Sequence, residues 1–385
     1  MKKCTALSVS AHMRTGPPKA TRIAAALLWA CVFSVSPRAA TLSDGPYVSL
    51  TADGALIARW VVSDTTEPRV REAQTKVGDS LEVPAVGALP AFKVKLRQPG
   101  AADPDEIALT RGVPLFVMAD THGELEIAVE LLKQQHVLDS RLQWAFGNGH
   151  LAVLGDVFDR GPHQTEILWL LYKLEAEAAR AGGGVHFVLG NHETMALGGD
   201  ERYLHPKYLQ VREVLGAPSY AALWDGSTLL GKWLRTKATV LRIGDFLCLH
   251  GGISRETVDR KLQLAQMNRE VRAALGQAKP EGFVFGTAGP QWYRGYFPEI
   301  AREDGFTVAT SDDVDAALAF YRVKAIFVGH TRVETVTPLF DGRVVAVQVY
   351  PRRDEAGKPV MEGLLVKDDG FYRARIDGAL ERLGR

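Results

Sequence analysis

The stretch Leu151-Ala152-Val153-Leu154-Gly155-Asp156-Val157-Phe158-Asp159-Arg160-Gly161 decides how this chain is read. Its first four residues are a short apolar run of the kind that forms a buried strand. Where that run gives out, two carboxylates and a guanidinium follow within five positions. Functional side chains delivered to the edge of a sheet in this way mark an α/β site rather than a surface loop.

Working outward, the same arrangement recurs. Leu115-Phe116-Val117-Met118 leads into Ala119-Asp120-Thr121-His122-Gly123, and Val185-His186-Phe187-Val188-Leu189 leads into Gly190-Asn191-His192-Glu193. Phe246 to Leu249 precedes His250-Gly251-Gly252, and Ala325 to Val328 precedes Gly329-His330-Thr331. Asp120, Asp156, Asn191, His122, His250 and His330 together offer carboxylate, amide and imidazole donors, which suit a pair of divalent transition-type ions. The residues divide naturally. Asp120 and His122 turn to one ion, while Asn191, His250 and His330 supply the other. Asp156, from the middle segment, bridges both with its two oxygens. Alone, Asp120 could cap a helix, Asn191 hold a turn and His330 be a core histidine; five ordered segments favour the ligand reading. No cysteine belongs to the set, which argues against a structural zinc.

Between these segments the periodicity alternates. Leu125, Ala128, Val129, Leu131 and Leu132 recur at helical spacing, as do Ile167, Leu168, Leu171 and Leu174 before Gly182-Gly183-Gly184. The rhythm predicts a layered α/β domain over residues 109–378. Residues 42–108 read as a small β-rich extension, with Asp53-Gly54 turning one hairpin. Residues 197–237 read as a helical cap insertion holding Tyr203, Tyr208 and Trp224. Further on, Ser311 reads as a helix N-cap, and Val344 to Val349 and Gly363 to Lys367 as strands of closing hairpins.

The chain has 385 residues, 46% hydrophobic and 24% charged, as in a soluble globular protein. Residues 1–40 hold six basic side chains and no acid, which leaves the remainder at about −5. A mildly acidic body argues against nucleic acid as a partner. The basic lead, the apolar run Ile23 to Val35 and the small residues after it read as an export signal to a bacterial periplasm, starting at Met1 or Met13. An uncleaved membrane anchor is the alternative, although the run is short for a span. Cys4 and Cys31 lie in this leader, so Cys248 would be the single mature thiol, a small buried hydrophobe.

The five segments resemble the calcineurin-like metallophosphoesterases, in particular PPP-type phosphoprotein phosphatases, whose pattern runs GDxHG, GDxxDRG, GNHE, HGG and GHT. Leu197-Gly198-Gly199-Asp200-Glu201-Arg202-Tyr203 and Trp292-Tyr293-Arg294-Gly295 make the Shewanella-like branch the best fit. The resemblance implies a four-layer α/β-β/α sandwich, two mixed sheets flanked by helices. It also implies two divalent cofactor ions, manganese first, with iron or zinc as alternatives. A hydroxide readied between the ions would attack phosphorus in line. His192 would protonate the leaving group, Asp159 would hold His192, and Arg160 and Arg294 would clamp the phosphoryl oxygens beside Asn191. Glu193 would buttress the site. Two departures stand out: Ala119 replaces the usual glycine, and Ala346-Val347-Gln348-Val349-Tyr350-Pro351 does not match the SAPNYC segment, so the tyrosine of that segment is not carried over.

The expected activity is hydrolysis of phosphate monoesters on phosphoproteins, at phosphoserine, phosphothreonine or phosphotyrosine. Tyr203, Tyr208 and Trp224 could shape a pocket for an aromatic or equally form cap core. A nucleotide or small phosphate ester is the alternative substrate. A metal-stabilised binding protein is disfavoured because His192, Asp159 and Arg160 are all present. The sequence is silent on oligomeric state.

Overall fold

The computed structural model describes residues 42–384 apart from 52–53, 64–66 and 369. The export signal expected in residues 1–40, the Ala52-Asp53 part of the first turn and Asp369 of the last turn lie outside the described residues.

Two six-stranded sheets face each other. One runs in the order Leu380–Arg382, Gly370–Arg375, Glu362–Lys367, Leu115–Met118, His150–Val153, Gly184–Phe187. The last three of these are parallel, with Leu115 opposite His150 and His150 opposite Gly184, and the rest are antiparallel. The other sheet runs Thr337–Leu339, Val344–Ala346, Ala325–Val328, Phe246–Leu249, Val240–Ile243, Glu106–Ile107, and is likewise mixed. This is the α/β sandwich with two mixed sheets that the sequence led us to expect.

The strand period of two explains how each sheet is buried on both faces. Leu115, Val117, Ala152 and Leu154 turn inward to meet Leu241, Ile243, Cys248, Phe327 and Val345 of the opposite sheet. Phe116, Met118, Leu151, Val153 and Phe187 turn outward into the layer that holds the helices Leu125–Gln134 and Gln164–Arg180. Gln164 to Leu174 is buried all round, because the N-terminal extension covers the side of this helix that the sheet does not. Cys248 is fully enclosed between the sheets, and burial pushes its thiol far up.

In the extension, Asp44–Leu50, Leu56–Val62 and Arg69–Thr75 form an antiparallel sheet, and Ser80–Val83 pairs with Phe92–Lys95. Glu106–Ile107 instead joins the edge of the main sheet beside Arg242 and Ile243. The insertion holds the helices Pro206–Leu215 and Leu229–Leu234 with a 3-10 turn at Ala221–Trp224. Among the described residues no helix is long and apolar enough to cross a membrane.

Two local expectations need correction. The N-cap is Thr310, not Ser311: its hydroxyl accepts from the Asp313 N–H while Asp313 accepts from the Thr310 N–H, a reciprocal box that a serine one position later could not close. The run from Val344 is a strand only to Ala346. Beyond it Val347 N–H bonds back to Val328, and the chain leaves the sheet towards the site.

Candidate metal centre

The turns that follow the buried strands bring the candidate ligands together. Asp120, His122, Asp156 and His330 all adopt left-handed backbone (φ 46, 42, 56 and 60°), and so do Asp159 and Arg160 (φ 71 and 68°). Non-glycine residues pay for that conformation, and such strain is retained where side chains must be aimed at one point. Gly190 makes the convergence possible, since a Cβ there would collide with the Asp156 carboxylate.

Asp156 Oδ2 sits centrally. His250 Nε2 lies 3.1 Å from it, His122 Nε2 3.7 Å and His192 Nε2 3.9 Å. Asp156 Oδ1 accepts the His192 N–H at 3.0 Å. On one side, His250 Nε2 is also 2.9 Å from Asn191 Oδ1, and ligand atoms of Asp156, His250 and His330 lie within 4.8 Å of one another. On the other, His122 Nε2 is 3.9 Å from Asp120 Oδ2. The outer nitrogens of two rings are already committed: His122 Nδ1 is 2.9 Å from the Phe158 carbonyl and His250 Nδ1 is 2.6 Å from that of Leu154. Nε2 of each ring therefore faces the centre, the orienting arrangement seen around metal-bound imidazoles.

Whether these residues fit metal ions has a direct test. Asp120 Oδ2 and His122 Nε2 are fully buried and have no hydrogen-bond partner. Burying polar atoms unpaired is costly, and a cation between them removes that cost. The donors, carboxylate, imidazole and amide oxygen, are those of divalent transition ions. The residues fit.

Electrostatics sharpens the division of roles. Burial, helped by the charge of Asp156, raises Asp120 to about 7. Burial also opposes ionisation of Asp156, but His250, His192 and His122 outweigh it and hold its carboxyl well below the usual range. Burial drives His122 down to about 3 and takes His330 well below its ordinary value, so both rings are neutral, as ligands must be. His192 behaves differently. Burial would lower it, but Asp156 and Asp159 win and raise it. With Nδ1 2.6 Å from Asp159 Oδ2, this ring favours its protonated form, although its Nε2 is near enough to Asp156 to be counted among possible ligands.

Both arginines singled out in the sequence reach the site. Arg160 Nη2 is 3.4 Å from His192 Nε2, and Arg294 Nε donates to His330 Nε2 at 3.1 Å. Glu193 receives four backbone N–H groups, those of Asp156 (2.9 Å), Gly190 (2.7 Å), Val157 (2.8 Å) and Phe158 (3.2 Å).

The calcineurin-like phosphoesterase profile matches residues 113–334, which is the part of the chain carrying all five segments. The chain belongs to that family. A cold-active protein tyrosine phosphatase of a psychrophilic Shewanella species is 35% identical in sequence, with a TM-score of 0.77 over 89% of this chain and 99% of that one. Shewanella-like protein phosphatase 2 of Arabidopsis thaliana is 29% identical over 47% of this chain and 55% of its own length. Shewanella-like protein phosphatase 1 of Plasmodium berghei is 32% identical over 42% of this chain and 44% of its own length. The chain thus spans about half the length of these two curated relatives. The family is one of dinuclear metal enzymes, and this member carries the matching Asp and His groups.

The structure divides the three cap aromatics for which the sequence left both pocket and core open. Tyr208 and Trp224 are core, 0% and 1% exposed, packed around Tyr220. Tyr203 is 47% exposed, with its ring 5.3 Å from that of His192. Tyr350, given no role from sequence, lies 5.9 Å from the His122 ring and 5.7 Å from the Arg160 guanidinium. Its signal was hidden because the flanking residues do not match the phosphatase segment that supplies a tyrosine. Trp292 stands 5.7 Å from His330. Gln291 was also missed: its amide donates to the carbonyls of Leu189 and Gly190 and seats the Trp292–Arg294 segment against the Asn191 turn.

Proposed function

We propose that this chain is a dinuclear metal-dependent phosphatase that dephosphorylates phosphoproteins, with phosphotyrosine as the preferred residue. The observation that carries the reading is the pair of donor sets meeting at Asp156, one of them holding buried, unpartnered Asp120 and His122 atoms, beside a His192 held by Asp159. Asp120, His122 and Asp156 would hold one ion; Asp156, Asn191, His250 and His330 would hold the other. Manganese is the proposed metal, with iron or zinc able to use the same donors. Bound there, two divalent ions lower the pKa of water and offset charge on the phosphoryl oxygens.

The chain's own groups do the remaining work. Arg160 and Arg294, beside His192 and His330, hold phosphoryl oxygens through planar guanidinium forks. Protonated His192 presents Nε2 to the leaving oxygen and passes it a proton, while Asp159 keeps the ring aimed and charged. Glu193 keeps the Asp156–Phe158 turn in place. The phosphotyrosine preference rests on the rim: Tyr203, Tyr350 and Trp292 offer aromatic faces to a substrate ring, and the similar Shewanella protein is described as a tyrosine phosphatase. Export to the periplasm, argued from the basic and apolar leader in residues 1–40, completes the proposal.

The test is hydrolysis of matched phosphotyrosine, phosphoserine and phosphothreonine peptides and of a nucleoside monophosphate by metal-stripped protein re-supplied with manganese, iron or zinc. Activity restored by metal and highest on phosphotyrosine supports the reading. Preference for the nucleotide makes it a small-ester hydrolase, and no activity with any metal removes the enzyme reading. Cell fractionation and N-terminal sequencing of the mature protein test export.

A further inference from the structure

We propose that Asp44 and Lys207 are positioning residues for the phosphatase reaction, acting through the Pro162 carbonyl to hold the Asp159–Arg160 bend from which His192 is aimed. The inference rests on the general-acid reading of His192 above.

The starting observation is a buried cluster of charges outside the metal centre. Asp44 is 0% exposed and Glu166 2%, and the Lys207 side chain is 11% exposed. They come from three parts of the chain: the first strand of the extension, the long helix and the start of the cap helix. Lys207 Nζ lies 2.5 Å from Asp44 Oδ2 and 3.4 Å from Glu166 Oε1. Charges taken out of water contribute little net stability even when paired, so a cluster of this kind is better explained by what it holds in place.

What it holds is the end of the catalytic turn. Lys207 Nζ donates to the Pro162 carbonyl at 2.7 Å, and Tyr208 Oη donates to the same oxygen at 2.8 Å. Tyr208 Oη also accepts the Gln164 N–H at 2.8 Å, and Gln164 Oε1 accepts the Asp159 N–H at 2.5 Å. Asp44 is itself fixed, because Tyr47 Oη donates to its Oδ1 at 2.8 Å and lies 3.2 Å from Thr165 Oγ1. The Arg160 N–H is tied to the carbonyl of Tyr203, at the entrance to the cap.

The turn therefore has two separate anchors. Glu193 holds the half that carries Asp156, through the N–H groups of Asp156, Val157 and Phe158. The Asp44–Lys207–Pro162 clamp holds the half that carries Asp159 and Arg160, together with Gln164 on the Asp159 N–H and the carbonyls of Tyr203 and His122 on the Arg160 and Gly161 N–H groups. Loosening the second anchor lets Asp159 drift and spoils the 2.6 Å contact that aims His192, while the ligand set stays on the first. A misaimed general acid slows substrates with poor leaving groups and spares those with good ones.

The experiment uses manganese-loaded full-length protein and compares kcat on phenyl phosphate and 4-nitrophenyl phosphate for wild type, Asp44→Asn and His192→Ala, with metal content measured for each. Asp44→Asn is expected to lose about tenfold on phenyl phosphate and less than about twofold on nitrophenyl phosphate, with metal content unchanged. Tyr47→Phe, which removes a single hydroxyl from the Asp44 carboxylate, carries the same test if Asp44→Asn does not fold, with an expected selective loss of about threefold. Equal losses on both substrates, no loss, or loss of metal overturns the inference. If His192→Ala is itself unselective, the general-acid reading fails. If His192→Ala is selective and Asp44→Asn is not, only the positioning role falls.

Discussion

His192 Nδ1 and Asp159 Oδ2 lie 2.6 Å apart, both buried, and this contact settles which ring nitrogen faces the site. With Nδ1 committed, Nε2 is the atom presented beside Arg160 and Asp156. The contact couples a charge to an orientation, so the two can be separated by substitution. Asp159→Asn keeps a hydrogen-bond partner but removes the charge, and it should cost about tenfold in kcat on poor leaving groups. His192→Ala should cost more, on the order of a hundredfold, with metal retained. Steady-state kinetics on a series of aryl phosphates, with metal analysis, checks both; equal losses across the series would remove the acid role.

On the proposed assignment Asp156 would hold both ions, whereas Asp120 would hold one. Asp156→Asn should therefore strip both ions and nearly all activity, and Asp120→Asn should leave about one ion per chain. Metal analysis of protein purified in excess manganese reads the difference. Retention of two ions by Asp156→Asn would contradict the bridging assignment.

Glu193 accepts four backbone N–H groups with one carboxylate, and Glu193→Gln turns an amide nitrogen towards some of those donors. Leaving buried N–H groups unpaired should cost about 2–4 kcal/mol, read as a fall in Tm of several degrees together with weaker metal binding. An unchanged Tm would mean that the turn is held from elsewhere.

Tyr203 and Tyr350 stand at the mouth of the site rather than in the core. Tyr203→Ala and Tyr350→Ala should raise KM for phosphotyrosine peptides about three- to tenfold while changing phosphoserine peptides little. Equal effects on both peptides would assign the rings to structure and withdraw the preference.

Far from the metals, His150 Nδ1 and His186 Nε2 lie 2.8 Å apart on adjacent strands. Burial, with His150 and Lys237 adding to it, lowers His186 to about 3. A histidine of depressed pKa stabilises the fold above its unfolded value of 6.5 and loses that contribution as pH falls towards 3. Wild type should lose about 2 kcal/mol more than His186→Phe between pH 6.5 and 4, after discounting for partial exposure. Parallel pH–stability curves for the two proteins, from denaturant titration, would remove the effect.

The strand-then-ligand repeats were legible because each packs its signal into a few contiguous residues: an apolar run long enough for a buried strand, then a donor. That local information determined the α/β sandwich, the candidate ligands Asp120 to His330 and the family resemblance. It could not reveal Tyr350, whose place beside His122 depends on where the chain runs once the strand Val344–Ala346 ends against Ala325–Val328. Nor could it separate Tyr203 from Tyr208, neighbours of one residue type in the same insertion, one at the rim and the other in the core. The sequence marked residues 42–108 only as a β-rich extension, yet folding puts Asp44 against Lys207 from 163 positions away. Periodicity and motif spacing are properties of neighbours along the chain. Contacts between distant segments are chosen by packing and by the need to pair every buried charge, and only the tertiary structure decides them.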